Sequence, residues 1–200
     1  MFKVIVIGAL LAILIFFIIR RLGLGFQGGT TTSYIQSSEW LELRLDNATL
    51  KRAVKQTLLS VGIGFILLVL ILLVASKFRI ALLLLPISFY LIGQYFILMN
   101  HIKASRKLQI FFHRNLNEIK VYTPGKTSVH YRLDEEMVQL KEIKGVQKNQ
   151  GLLFGYYAVR IGRSTFNIPY LLEENKQNKP FFHYLQPMSR EIETKLFPII

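Results

Sequence analysis

The chain has 200 residues, of which 52% are apolar, and a formal net charge of +13 at pH 7. Residues 1–100 hold nine Lys or Arg against three acids, and residues 101–200 hold sixteen against nine. Because the positive charge is spread along the chain and no basic run is interleaved with aromatics, the sequence argues against nucleic-acid binding. The absence of cysteine excludes disulfides, thiolate metal ligands and a thiol nucleophile.

Three uncharged apolar stretches dominate the sequence, at Val4–Ile19, Thr57–Ser76 and Ile80–Asn100. A helix needs roughly 20 apolar residues to cross about 30 Å of hydrocarbon, and the second and third stretches meet this length. The first is shorter, so Lys3 and Arg20 would have to extend toward the lipid head groups. We therefore predict three transmembrane helices.

Residues 1–21 are predicted to form the first of these helices as an uncleaved anchor. The doublet Arg20-Arg21 follows the apolar stretch directly, without the small-residue site of a cleaved signal peptide. Residues 57–101 are predicted to form a transmembrane hairpin, because only Lys77, Phe78 and Arg79 separate its two apolar stretches.

The basic residues beside the spans predict the topology, because they favour the cytoplasmic side of a membrane. Most lie in the 22–56 linker or directly after the third span, which places the N-terminus outside and the C-terminal domain in the cytoplasm. Each could also gain about 1 kcal/mol from anionic lipid. The candidate head-group residues are Arg20, Arg21, Lys51, Arg52, Lys55, Lys103, Arg106 and Lys107.

The linker at residues 22–56 begins rich in Gly and Thr and then changes character. Residues 40–45 alternate between apolar and polar side chains, which predicts a half-buried strand. Asp46 or Asn47 could cap a helix over residues 47–56 that runs into the second span. We expect the strand to join the sheet of the C-terminal domain, because a strand needs a partner.

Small residues in the spans are candidates for close helix packing. The pairs Gly8/Ala12 and Ser60/Gly64 have the spacing that lets helices approach each other, and the amide of Gln94 would need a polar partner in hydrocarbon. Pro86 should kink the third span, since it removes one backbone donor.

Residues 102–200 are predicted to form a cytoplasmic α+β domain with an antiparallel sheet. Short strands are separated by turn residues, among them Pro124-Gly125. A helix over 178–197 should cap the sheet, because apolar residues recur there every three or four positions, although Pro187 should bend or break it.

This layout resembles the YcxB-like bacterial membrane proteins, which carry a transmembrane hairpin and a pleckstrin-homology-like domain. The resemblance rests on the lead-in at residues 41–50, the hairpin, and Phe166-Asn167-Ile168-Pro169-Tyr170 before Phe181-Phe182. It implies that residues 102–200 form a pleckstrin-homology-like domain, and it implies no defined activity. The first span and its Gly-rich linker depart from the two-span form of the family.

Residues for catalysis or metal binding are not grouped in the sequence. The histidines at 101, 113, 130 and 183 lack the spacing of metal ligands, and His113 and His130 are expected to face solvent. Asp134-Glu135-Glu136 reads as a solvated turn, with a cation site as the weaker alternative. We expect no enzyme activity, cofactor, metal or small-molecule substrate.

The sequence favours a non-enzymatic inner-membrane protein that presents its C-terminal domain at the cytoplasmic face, for assembly or regulation of a membrane partner. The expected partners are membrane lipids and either another protein or a second copy of the chain. Two alternatives stay open: an accessory subunit of a transporter, motor or secretion complex, and an immunity-type membrane protein.

Overall fold

The computed structural model describes residues 39–122, 128–133, 138–149, 152–162 and 164–200, within one compact unit spanning Ile35–Ile200. The predicted first transmembrane helix, the Pro124-Gly125 turn and the Asp134–Glu136 acids lie outside the described residues. The described part of the chain forms two long helices and two small sheets.

Two antiparallel helices form the predicted hairpin. Helix α1 spans Asn47–Ala75, and its cap is Asp46, whose side chain accepts a hydrogen bond from the backbone N–H of Thr49 at 3.0 Å. A 3-10 helix at Arg79–Leu84 leads into helix α2, Leu85–Lys107. The helical stretches on the two sides of the turn have 29 residues each and are long and apolar enough to cross a membrane.

Pro86 lies in the first turn of α2, where a backbone N–H has no partner within the helix. The chain therefore changes from 3-10 to α-helical geometry at Leu85. The change of helix type occurs next to the position at which the kink was predicted.

The first sheet contains strands β1 to β4 in sequence order, each antiparallel to its neighbour. The strand that precedes the hairpin pairs with the strand that follows it, with Leu41 opposite Phe112. This pairing confirms the prediction that the Trp40 segment joins the C-terminal domain. The four strands are Trp40–Glu42, Gln109–His113, Glu118–Tyr122 and Val129–Arg132.

The second sheet has the strand order β7-β6-β5-β8. Strands β5 to β7 are antiparallel, whereas β8 lies parallel to β5. Between β7 and β8 the chain forms the short helices α3 and α4, at Tyr170–Glu173 and Lys179–Leu185. The four strands are Val138–Asn149, Leu152–Ile161, Ser164–Pro169 and Arg190–Lys195.

The helix predicted over 178–197 is wrong in its second half. Helix α4 ends at Leu185, two residues before Pro187, and residues 190–195 form β8 instead. Pro187 has no backbone N–H with which to continue the helical hydrogen bonds, and the following residues then add to the edge of the second sheet. The buried part of the predicted helix remains, with Phe181 and Phe182 in the core.

The main core contains side chains from both sheets and from α4. Ile110 and Phe112 from β2, Val159 from β6 and Ile168 from β7 are almost completely buried together with Phe181. The rings of Phe112 and Phe181 meet edge to face at 5.4 Å. Two apolar helices and a mostly antiparallel α+β domain are therefore the observed architecture.

Candidate functional site

The second sheet packs directly against the end of the helical hairpin. A second apolar cluster joins the first turns of α1 and the last turns of α2 to β6 and α3, and it contains Leu50, Ala53, Ile97, Leu98, Ile102, Phe154 and Leu171. These side chains are removed from water by contact with one another, so the hydrophobic effect holds helices and sheet together. We call this region the junction.

The two helices approach closely at Gly64. A Cβ atom at this position would lie 2.8 Å from the Cβ of Leu91 and 3.1 Å from the backbone nitrogen of Ile92. The buried hydroxyl of Ser88 donates a hydrogen bond to the Gly64 carbonyl at 2.9 Å. Glycine thus allows the contact and serine adds a polar bond across it.

Of the other four predicted packing residues, two lie within the described part of the chain and two do not. Ser60 and Gln94 are buried, as expected for side chains between helices. Gly8 and Ala12 lie outside the described residues.

The predicted head-group residues surround the junction. Six are exposed at the sheet end of the hairpin, namely Lys51, Arg52, Lys55, Lys103, Arg106 and Lys107. Arg52 forms a long ion pair with Glu174, at 3.7 Å. Arg20 and Arg21 lie outside the described residues. Cationic side chains on both helices therefore lie next to the sheets.

Exposed apolar side chains cover the rest of the hairpin, from Leu58 on α1 to Phe96 on α2. We call this surface the apolar belt. It begins about one helical turn beyond Lys55 and ends about two turns before Lys103. A belt of apolar side chains with cations at its sheet end matches the two environments of a membrane and its head groups.

The segment after β8 returns to α2. The side chain of Asn100 donates to the Ile200 carbonyl at 3.1 Å and accepts from the Ile200 N–H at 2.8 Å, so it pairs with both backbone groups. The Nε2 atom of His101 lies 2.7 Å from the Pro198 carbonyl oxygen. His101 is completely buried.

A buried carboxylate marks the edge of the core beside β8. The Tyr170 hydroxyl donates to Glu142 Oε1 at 2.6 Å, Lys144 Nζ lies 3.2 Å from the same oxygen, and Arg190 Nε lies 3.1 Å from Oε2. Glu142 is 4% exposed, so its charge is compensated by these two partly exposed cations and by the Tyr170 hydroxyl rather than by water.

A second carboxylate extends this cluster. The Tyr157 hydroxyl donates to Glu173 Oε2 at 2.8 Å, and the rings of Tyr157 and Tyr170 lie 4.8 Å apart. Burial raises the pKa of both phenols, and burial also raises the pKa of Glu173 despite the hydrogen bond from Tyr157. The tyrosines thus stay protonated at neutral pH and act as donors that tie α3 to β5 and β6.

The outer face of the first sheet combines aromatic and charged side chains. Lys120 Nζ lies 3.9 Å from the ring centroid of Trp40, and the His113 ring meets Trp40 edge to face at 4.9 Å. His130 and Arg132 both pair with Glu118, at 3.0 and 3.3 Å. A cation over an indole and paired charges stabilise this face without an apolar cover.

His113 is a correction to the sequence analysis. It was expected to face solvent, but it is buried beside Trp40, with Nε2 3.4 Å from Glu39 Oε2. The neighbouring strand β1 covers it, and this cover was not visible from the alternation within β2 alone. His130 is exposed, as expected.

Within the described ranges, no group of three or more His, Cys, Asp or Glu side chains could hold a metal ion. Comparison of the chain with protein families, with curated proteins and with solved structures finds no match. The junction, with its apolar belt and cationic border, is therefore the candidate site on which a functional interpretation depends.

Proposed function

We propose that this chain is a non-enzymatic protein of the bacterial inner membrane, whose hairpin spans the bilayer and holds the α+β domain against the cytoplasmic surface. The domain would serve the assembly or regulation of a partner in the same membrane. One observation carries the proposal: the second sheet packs on the hairpin through the junction, so the domain has a fixed orientation.

The charges support this orientation. Lys51, Lys55, Lys103 and Lys107 are exposed at the sheet end of the hairpin, whereas Lys77 and Arg79 lie at the turn. Basic residues favour the cytoplasmic side, and the sheet end has the greater number. Anionic head groups would then contact these side chains.

The proposal includes the resemblance to the YcxB-like proteins. Strands β2 to β4 and β5 to β7 form two antiparallel meanders that enclose one core, and α4 packs into it. This arrangement is compatible with a pleckstrin-homology-like domain. The parallel strand β8 is an addition to the expected pattern.

The orientation can be tested by labelling, because the chain has no cysteine. We expect a single cysteine at Ser164 or Ser189 to react with a membrane-impermeant maleimide only after spheroplasts are opened. A cysteine at Lys77, at the turn of the hairpin, should react in closed spheroplasts. The reverse pattern would contradict the proposed topology.

The partner can be sought at the outer face of the first sheet. A photoreactive residue at Tyr122 on this face should form a crosslink to a protein in native membranes. The same residue at the exposed Glu191, on the second sheet, provides the control. A chain that gives no crosslink at Tyr122, and purifies from native membranes as a monomer without a companion, would overturn the proposed role.

A further inference from the structure

An apolar patch lies beside the hairpin, formed by Val146 and by the segment after β8. We infer that this tail patch, consisting of Val146, Leu196, Phe197 and Ile199, inserts into the lipid of the membrane that the hairpin crosses. Its occupant would be the acyl-chain and glycerol region of the cytoplasmic leaflet. The inference rests on the proposed function, since it requires the hairpin to span a bilayer.

Exposure of these four side chains is the first observation. They are 61%, 54%, 41% and 61% exposed, in chain order, although all are large and apolar. The residues lie close together, because Gly145 is in register with Lys195 and a Cβ on Gly145 would lie 3.4 Å from Pro198 Cγ. Clustered exposed apolar side chains mark a contact surface rather than ordinary solvent exposure.

The position of Phe197 along α2 is the second observation. Its ring lies 5.4 Å from the ring of Tyr90, and its Cε1 atom would lie 3.4 Å from a Cβ on Gly93. Both positions fall between Phe89 and Phe96, which are exposed members of the apolar belt. The tail patch is therefore continuous with the surface that would face lipid.

Hydrogen bonds to α2 fix the backbone of the segment after β8. Asn100 holds both backbone groups of Ile200, and His101 lies 2.7 Å from the Pro198 carbonyl oxygen. These bonds satisfy polar backbone groups that would otherwise enter an apolar environment unpaired. The segment can thus present its side chains to lipid without exposing all of its peptide groups.

Continuity with the apolar belt favours lipid over a protein occupant. Lys195 precedes the apolar segment and Lys144 precedes Gly145, but Lys195 pairs with Glu193 at 3.5 Å and Lys144 pairs with Glu142 at 3.2 Å. These cations are therefore compensated within the chain. The four side chains of the patch are apolar like those of the belt, so the same hydrocarbon would cover both.

Nitroxide labels can test the inference in the full-length chain. Single cysteines are placed at Ile199, at Ile66 in the apolar belt and at Glu191 as the water-exposed control, and each variant is reconstituted into phosphatidylcholine–phosphatidylglycerol vesicles. Collisions with oxygen report lipid, and collisions with a water-soluble nickel chelate report water. We expect the oxygen-to-nickel ratio at Ile199 to exceed that at Glu191 several-fold and to approach that at Ile66.

The outcomes separate this inference from the proposed function. A high ratio at Ile66 with a ratio at Ile199 equal to that at Glu191 would overturn the inserted patch and leave the spanning hairpin intact. Low accessibility of Ile199 to both reagents would also overturn it and would indicate a protein or a second copy as the occupant. A water-like ratio at Ile66 would contradict the proposed function itself. Leu196→Cys provides an independent second reporter, with the same expectations as Ile199.

Discussion

Asn178 pairs with both backbone groups of Arg44, which lies 134 residues earlier in the chain. The Asn178 carboxamide accepts a hydrogen bond from the Arg44 N–H at 3.2 Å and donates to the Arg44 carbonyl at 3.0 Å. It also donates to the Leu172 carbonyl at 2.6 Å, and Asn175 donates to the Arg44 carbonyl at 2.8 Å. The Asn178 side chain therefore pairs with the backbone of the β1–α1 connection as a neighbouring strand would.

We expect Asn178→Ala to destabilise the protein by about 2 kcal/mol, because it leaves the Arg44 N–H and the Leu172 carbonyl without the Asn178 side chain, while Asn175 still donates to the Arg44 carbonyl. The measurement is the free energy of unfolding in mild detergent. Gln177→Ala, one residue away and exposed, is the matched control and should change stability little. Equal stability of the two variants would contradict the proposed role of Asn178.

Substitution of Gly64 should loosen the hairpin. A methyl group at this position would clash with Leu91 and with the backbone of Ile92, so we expect Gly64→Ala to cost about 1–3 kcal/mol. Gly62 lies on the same helix, and a Cβ added there would meet no atom within 4 Å, so Gly62→Ala should be neutral or slightly stabilising. Thermal aggregation in detergent would compare the variants, and a destabilised Gly62→Ala alone would refute the packing argument.

The hydroxyl of Tyr170 should contribute to stability through the buried Glu142. Tyr170→Phe removes a donor 2.6 Å from this carboxylate, and hydrogen bonds to charged groups contribute about 1.5–3 kcal/mol. We expect a loss of this size in chemical unfolding. Tyr122→Phe, which removes an exposed phenol, serves as the control. A loss no larger than that of the control would mean that Lys144 and Arg190 are sufficient partners for Glu142.

Glu173 should make stability depend on pH. Burial raises its pKa in the folded state, so the folded protein binds this proton more tightly than the unfolded chain does. Ionisation of Glu173 therefore lowers stability as the pH rises through its folded-state pKa. Glu173→Gln removes this effect but keeps a side-chain oxygen that can accept a hydrogen bond from Tyr157. The free energy of unfolding of the variant should therefore exceed that of the wild type at neutral pH.

The difference between variant and wild type should shrink as the pH falls toward 4.5, the ordinary value for this carboxyl group. Unfolding curves over this range provide the measurement. Glu191→Gln, at an exposed position, controls for the loss of one negative charge. A difference that stays constant with pH would count against a raised pKa at Glu173.

Local patterns predicted the regular elements well. The cap at Asp46, the helix running from it into the apolar stretch and the presence of short strands in residues 102–200 agree with the structure. These elements follow from short-range physics: a side-chain cap, an apolar stretch of sufficient length, and β-branched and aromatic residues between turns.

Local sequence patterns did not predict the contacts between segments that are distant in the chain. The spacing of Phe181, Leu185 and Ile192 fits a helix, yet Pro187 separates a short helix from a strand that is stabilised by pairing with β5. The burial of His113 and His101 likewise depends on segments more than 70 residues away in sequence. Neither residue carries a local signal that distinguishes a buried histidine from an exposed one.

Only Leu108 separates the end of α2 from the start of β2. A connection of one residue allows little rotation of α2 relative to β2. A second short connection, of four residues, joins β1 to α1. Any tilt of the hairpin, imposed by bilayer thickness or by a neighbouring helix, would be transmitted as torque to the first sheet. A change in the tilt of the hairpin would therefore move the face of the first sheet that carries Trp40.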